Sequence, residues 1–476
     1  MKLLDQQQGV DMGSALELTQ TIPILLNIIL LVYWAFMRPK VGIFIIAFSC
    51  FYLSAFASTT GFVKLPSQIA WLSDIALVAL LMRWIFDFIT GKRKIRKTPI
   101  DIPVIMLCIS GILGAVLSSS RGITALLGFR NYFKYILMFS LIVNFNFREK
   151  FFRSMIRFFL ITMAIQIPLS IGQALIVGVI GDRAGGTLFT YPLGILSLSA
   201  ISIIIGISIY KGIKPHLIVV AVLLPLTWIT ADVIGAFVLL FPMILYVLFV
   251  TMNHDTFKSK LKLMGVSAVC IPILLFGMRT SRALNYYVSE PKAIYSGQFG
   301  SGEGGSYNRF SGIIYSHEII ASSYPRAIFG VGPGNATPGF LKEYTGRFYT
   351  PMFSLYTQVS RILAEFGYLG LALFLVLMII LYRVNSRLFR RTDNAYWKAL
   401  SLGFSGMLFV YIVGLVYYPV LVEDQTAFFF WFLAAAICSV EGRKKRVTSI
   451  PERPIEAFSA PKPMASSGTR GSLNVG

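Results

Sequence analysis

Long apolar runs separated by short polar links extend along almost the whole chain. Each run is about 15 to 25 residues long, close to what an α-helix needs to cross the hydrocarbon layer of a bilayer. The pattern predicts an all-α polytopic membrane protein with about 13 transmembrane helices. Because one run is short, a count of roughly 12 to 14 helices also agrees with the pattern. The predicted spans are Thr21–Met37, Val41–Ser58, Ile69–Ile89, Ile102–Leu117, Tyr132–Phe147, Phe158–Ile180, Pro192–Tyr210, Leu217–Ile229, Val233–Met252, Leu263–Met278, Leu355–Tyr382, Ala399–Tyr418 and Ala427–Val440.

One link is much longer than the others and predicts a domain of its own, because long loops usually carry function. We therefore divide the chain into ten spans over residues 1–278, a large periplasmic loop over 279–354, three spans over 355–440 and a disordered cytoplasmic tail over 441–476. Within the loop, a short helix is predicted from Asn308 to Ser323, ended by Pro325, and turns are predicted over Phe329–Asn335.

The chain contains few charged residues, and they are unevenly distributed along the sequence. Charged residues make up 13% of the sequence, against about 25% in an ordinary soluble domain, which argues against a soluble enzyme. Basic residues cluster in every second link, as the positive-inside rule describes, so we expect those links and the C-terminus in the cytoplasm and the N-terminus in the periplasm. The net charge of +22 then reflects topology, and no nucleic-acid partner is expected.

Two further expectations follow from composition. The four cysteines lie in apolar runs, and no Asp-x-Asp pair or cluster of metal ligands appears in the sequence, so we expect no disulfide framework, no metal and no cofactor. The first twenty or so residues are polar, and the first apolar run is expected to be a permanent span rather than a signal peptide.

Arginine and lysine side chains on the predicted outer side run against this topological bias. One explanation is an anionic ligand, since guanidinium groups bind phosphate oxygens through paired hydrogen bonds. The alternative is contact with lipid headgroups or pairing with Asp74, Asp182, Asp232 or the glutamates of the large loop. The candidate anion-binding residues are Arg130, Lys134, Arg183, Arg279, Arg282, Arg309 and Arg326.

The candidate catalytic residues are His317 and its neighbour Glu318. His317 is the one histidine predicted on the outer side, and histidine can act as a general base near neutral pH. The alternative for His317 is a packed loop side chain against Ile313 and Ile320, and Glu318 is also explained as a solvated charge.

Short motifs lie on both sides of the large loop and within it, namely Gly128–Tyr132, Gly181–Leu188, Asn308–Phe310, Tyr324–Pro325, Phe329–Asn335 and Ile362–Gly370. In sequence and in order, these motifs resemble those of the O-antigen ligase and polymerase superfamily. The resemblance implies a glycosyltransferase of the bacterial inner membrane that works on the periplasmic face with sugar chains carried by undecaprenyl pyrophosphate. It also implies membrane lipids, a chain-length regulator and a flippase as partners, and arginines that bind the pyrophosphate without a metal.

Two departures favour a polymerase of O-antigen, capsule or exopolysaccharide over a ligase. Ligases of this family carry a His-Asn pair where this chain has Tyr356 and Thr357, and a Ser-Arg pair where it has Thr230–Val233. The missing histidine leaves the general base open. Two alternatives remain, namely a ligase that transfers glycan to another acceptor, and a polysaccharide or lipid transporter in which Asp74, Arg83, Asp87 and Glu365 belong to an ion path.

Overall fold

The structure is a computed structural model, and it describes residues 27–53, 71–176, 184–188, 190–252, 309–339, 342–349 and 357–448. All regular elements in these ranges are helical. They are α1 (Asn27–Met37), α2 (Pro39–Phe48, continued by a π-helical turn over Ser49–Leu53), α3 (Leu72–Ile89), α4 (Asp101–Leu117), α5 (Gly122–Phe145), α6 (Glu149–Ile176), α7 (Thr190–Lys211), α8 (Pro215–Thr230), α9 (Ile234–Met252), α10 (Arg309–Ala321), α11 (Tyr324–Phe329), a 3₁₀ turn (Lys342–Tyr344), α12 (Gln358–Arg391), α13 (Ala395–Gly414) and α14 (Asp424–Thr448).

Seven of the described helices are long and apolar enough to cross a membrane, namely α5, α6, α7, α9, α12, α13 and α14. Helices α1, α2, α4 and α8 are also apolar but shorter. The prediction of an all-α multi-pass membrane protein is confirmed at this level. The tenth predicted span, Leu263–Met278, lies outside the described residues.

Helix boundaries differ from the predicted spans where charged residues lie inside a helix. Helix α5 begins at Gly122 rather than near Tyr132, and Arg130 and Lys134 lie within it. The predicted span begins too late because hydropathy treats each charged side chain as exposed. In the structure, Arg130 and Lys134 are both paired with carboxylates. In the large loop, α10 ends at Ala321, and Pro325 does not end it but occupies the first turn of α11. Proline suits that position because no helical hydrogen bond needs its missing N–H.

The centre of the bundle is formed by α7, α13 and α14, whose apolar faces are almost completely buried. Helices α7 and α13 make the most extensive contact among the described helices. Gly206 faces the backbone of Ala399, and Ser202 donates a hydrogen bond to the carbonyl of Gly403 at 2.9 Å. Small residues let two helix backbones approach closely, which is a common way to pack helices in a membrane.

One end of the bundle carries most of the described basic residues, and we call it the basic end. It includes the links between α3 and α4, α5 and α6, α7 and α8, and α12 and α13. Arg93 contacts Asp87 at 2.8 Å and the carbonyl of Phe145 at 2.8 Å, while Glu149 accepts a hydrogen bond from Trp397 at 3.0 Å. The opposite end, where α3, α5, α12 and α14 begin, contains the site described next and is called the cleft end.

Candidate functional site

An open cleft lies at the cleft end, between the first half of α5 and the segment that follows α11. Its empty volume is about 480 Å³, including the space open to the surroundings. The lining residues are Trp71, Thr124, Leu127, Gly128, Arg130, Asn131, Gly334, Thr337, Pro338, Gly339 and Tyr344. A cation, an amide, hydroxyls and two aromatic rings therefore face one space, a combination suited to a polar ligand that has both charge and flat apolar faces.

Arg130 forms the charged wall of the cleft. Its guanidinium is bidentate with Asp74, with Nε at 2.9 Å from Oδ1 and Nη2 at 2.5 Å from Oδ2. The same group lies 5.0 Å from the centre of the Trp71 ring. About a third of the side chain, 32%, remains exposed. Asp74 and Trp71 thus hold the guanidinium in a fixed plane, with part of it directed to the cleft.

A buried charge network supports Arg130 from behind. Lys134, one turn further along α5, contacts Asp424 of α14 at 3.1 Å, Asp74 at 3.4 Å and Ser73 at 2.8 Å. Tyr135 also donates to Asp424 at 2.7 Å. The two cations and two carboxylates compensate each other, as burial of charge in a membrane bundle requires.

The opposite wall is the segment Gly330–Gly339, which we call the glycine loop. Gly330, Gly332 and Gly334 have φ values of 74°, 89° and 81°, which only glycine adopts without strain. A Cβ on Gly332 would overlap Ala115 of α4, and a Cβ on Gly128 of α5 would overlap the backbone of Gly334. The glycines therefore let this loop lie directly against the backbones of α4 and α5. On α5 the contact is at Gly128, two residues before Arg130.

Helix α12 anchors the glycine loop through a kink. Gly367 has a φ of 68° inside the helix, so the carbonyls of Ala364 and Glu365 lose their normal helical donors. The loop supplies new donors, with Val331 N–H at 2.9 Å from the Ala364 oxygen and Gly332 N–H at 3.0 Å from the Glu365 oxygen. The kink is thus where the loop is attached to the bundle.

The Glu365 side chain completes this attachment. It is fully buried, and its Oε1 accepts hydrogen bonds from the Thr337 hydroxyl at 2.9 Å and the Ala336 N–H at 3.2 Å. Its Oε2 has no hydrogen-bond partner of normal geometry among the described residues, although the Tyr132 hydroxyl of α5 is close enough to interact with the carboxyl. Oε1 therefore binds the loop, and the carboxyl also lies close to the Tyr132 hydroxyl of α5.

The predicted anion-binding residues do not all lie at the cleft. Arg130 lines the cleft, and Lys134 lies behind it. The pairing alternative is observed for both, since each contacts Asp74. The guanidinium of Arg326 of α11 lies 5.3 Å from the centre of the Phe348 ring and donates a hydrogen bond to the Ser322 hydroxyl. Arg309 is the first residue of α10, but its side chain is not described, and Arg183, Arg279 and Arg282 lie outside the described residues.

The predicted catalytic residues lie on the exposed face of α10. His317 and Glu318 are both exposed, and His317 Nδ1 shares a hydrogen bond of 2.6 Å with the Tyr368 hydroxyl of α12. Ile320 of the same helix is fully buried. Neither His317 nor Glu318 lines the cleft, and their catalytic role stays a prediction.

Several residues of the site carry no clear signal in the sequence. Trp71 and Asn131 could be read as interfacial aromatic and helix residues, and Thr337 follows a turn-rich segment. Glu423 is a further acidic residue at the cleft end, where desolvation raises the pKa of its half-buried carboxyl and the positive charge of Arg361 opposes that shift. The sequence signal that could identify such charged residues is their position at the start of an apolar helix, because a charge there needs a partner.

No protein-family model matches the chain, and no curated protein matches it significantly. The function is therefore argued from the geometry of the cleft.

Proposed function

We propose that the chain is a polysaccharide polymerase of the bacterial inner membrane. In this proposal about 13 spans cross the bilayer, the basic end faces the cytoplasm, and the cleft and the large loop face the periplasm. The substrate is an oligosaccharide repeat unit carried by undecaprenyl pyrophosphate, and the product is the glycan of O-antigen, capsule or exopolysaccharide. A chain-length regulator and a flippase are the protein partners expected beside it.

The observation that supports this function best is Arg130 on the wall of an open cleft at the end that has few basic residues. A pyrophosphate oxygen pair resembles the carboxylate that Arg130 already binds in Asp74. Lys134 contacts Asp74 as well, so Asp74 keeps a cationic partner when Arg130 turns to the ligand. Trp71 and Tyr344 supply aromatic surfaces for sugar rings, and Asn131 and Thr337 supply hydrogen-bonding groups.

These groups suit glycosyl transfer without a metal. A hydroxyl of the acceptor sugar attacks the anomeric carbon of the donor, and the lipid pyrophosphate leaves with the electron pair of the broken bond. Arg130 neutralises the charge that develops on the leaving group, which is the kind of electrostatic stabilisation that contributes most to such reactions. The hydroxyl proton needs an acceptor near the cleft.

The test is incubation of the purified full chain with a lipid-linked repeat unit, followed by gel analysis of the glycan. We expect a ladder from the unmodified protein, a loss of about 10²–10³-fold in rate for Arg130→Ala, and partial activity for Arg130→Lys because lysine keeps the charge but loses the bidentate geometry. Arg390→Ala, an exposed arginine at the basic end, is the matched control.

The products separate the alternatives. A single added glycan on a second acceptor, without a ladder, would indicate a ligase. The transporter alternative is supported by the buried network of Lys134, Asp74 and Asp424, because charged groups inside a membrane bundle often form ion paths. That alternative predicts movement of the lipid-linked sugar across proteoliposomes and no change in its covalent structure.

A further inference from the structure

We propose that Glu365 accepts the proton of the attacking sugar hydroxyl, and that the Thr337 hydroxyl relays it from the cleft. This inference rests on the proposed glycosyl transfer and assigns the proton acceptor that transfer needs. Thr337 lines the cleft and its hydroxyl is 2.9 Å from Glu365 Oε1. The buried carboxylate is therefore one hydroxyl group away from the space that the substrate occupies.

The surroundings of Glu365 favour proton uptake. The side chain has no ion pair within the part of the chain that the structure describes, and the groups that contact its oxygens are neutral hydroxyl and backbone N–H groups. Keeping a carboxylate charged in a buried position without a cation is costly. A proton that arrives during the reaction removes this cost, while the hydrogen bonds to Ala336 and Thr337 keep the group in place.

The proposed step balances. The acceptor oxygen forms a bond to the anomeric carbon as the bond from that carbon to the pyrophosphate oxygen breaks. The acceptor proton passes to Thr337 Oγ, and the proton that Thr337 carried passes to Glu365 Oε1. The pyrophosphate leaves beside Arg130, on the opposite wall. Glu365 returns its proton through Thr337 to water after the product has left.

A structural role is the rival explanation, because Glu365 also holds the glycine loop. Glu365→Gln separates the two roles. The glutamine oxygen can still accept the hydrogen bonds from Ala336 and Thr337, so the loop stays attached, but an amide cannot take up the proton. Thr337→Val and Thr337→Ser form a second matched pair, since valine removes the hydroxyl at nearly the same size and serine keeps it.

The experiment measures kcat and KM for polymer formation by the purified full chain. We expect Glu365→Gln and Thr337→Val each to lower kcat by about 10²–10⁴-fold, the usual contribution of a general base. KM should stay within about twofold, because the proton moves only in the transition state. Thr337→Ser should restore most of the rate, and the double variant should be no slower than either single one. Thr90→Val, which removes a threonine hydroxyl at the basic end, is the control.

An active Glu365→Gln enzyme, or a Thr337→Val enzyme as fast as Thr337→Ser, overturns the relay and leaves the polymerase intact. Loss of rate in His317→Gln together with an active Glu365→Gln would return the base to His317. If Glu365→Gln does not accumulate in the membrane, the Thr337 pair decides, since both variants keep Glu365. An unmodified protein that makes no ladder overturns the proposed function and this inference with it.

Discussion

At the scale of single residues, the most demanding feature is the burial of Lys134 with two aspartates. A charged side chain removed from water is stable only when its partners replace the lost hydration. Only 3% of the Lys134 side chain is exposed, and it contacts Asp74, Asp424 and Ser73. The network keeps Asp74 in the plane that orients Arg130, so its stability and the shape of the charged wall are linked.

This link predicts the cost of breaking the network. Lys134→Met should lower the free energy of unfolding by about 3–5 kcal/mol, because it removes the cation that contacts Asp424 and one of the two cations that contact Asp74. Arg153→Met removes an exposed cation from its pair with Glu149 and should cost about 0–1 kcal/mol. Thermal unfolding of the two purified variants in detergent measures the difference. Equal Tm values would show that the Lys134 network is not compensating buried charge.

At the scale of elements, the kinked helix α12 and the glycine loop act as one unit. The positive φ of Gly367 frees two carbonyls, and the loop takes both. The glycines then remove the side chains that would keep the loop away from α4 and α5. The cleft exists because the loop lies this close to α5.

A pair of glycine variants tests the close approach. Gly128→Ala would place a Cβ against the backbone of Pro333 and Gly334, and backbone cannot rotate away as a side chain does. We expect this variant to lose most polymer formation and to have a lower Tm. Gly172→Ala, on α6 with open space around its Cα, should keep activity and gain slightly in stability because alanine favours a helix.

Measuring the glycan ladder and the Tm of both variants checks this prediction. Two variants with the same activity and the same Tm would show that the packing of the glycine loop against α5 does not shape the cleft.

At the scale of the whole molecule, charge divides the bundle into two ends. Clusters of lysine and arginine lie at the basic end, while the described cations of the cleft end are fewer, and two of them, Arg130 and Lys134, contact carboxylates. The positive-inside rule predicts that the basic end faces the cytoplasm. With that orientation, the proposed reaction would take place outside, where a flipped lipid-linked sugar would be available.

Cysteine labelling tests this orientation. In a background with the four native cysteines replaced, Tyr324→Cys on exposed α11 should react with a membrane-impermeant thiol reagent in intact spheroplasts. Lys94→Cys, exposed at the basic end, should react only after permeabilisation. The opposite labelling pattern would place the cleft in the cytoplasm and contradict the proposed periplasmic reaction.

Much of the molecule was readable from the sequence. Apolar runs predicted helix α7 to within two residues and helix α13 to within four residues at each end, because the cost of exposing backbone and charge to lipid depends on local composition alone. The placement of Arg130 and Lys134 against the charge bias marked them as residues that need partners. The order of the motifs around the large loop drew attention to the glycine loop and to Glu365.

Only the tertiary structure decided which of these residues meet. Lys134 contacts Asp424, which is 290 positions away in the sequence. The Thr337 hydroxyl bonds to Glu365 beside the kink in α12, and hydropathy does not predict that kink. Hydropathy and charge act between each residue and the bilayer, so a single sequence contains them directly. The pairing of one side chain with another depends on which helices are neighbours, and that is set by packing over the whole bundle. The span pattern was therefore determined by the sequence alone, whereas the cleft, its two walls and its buried carboxylate were determined by the fold.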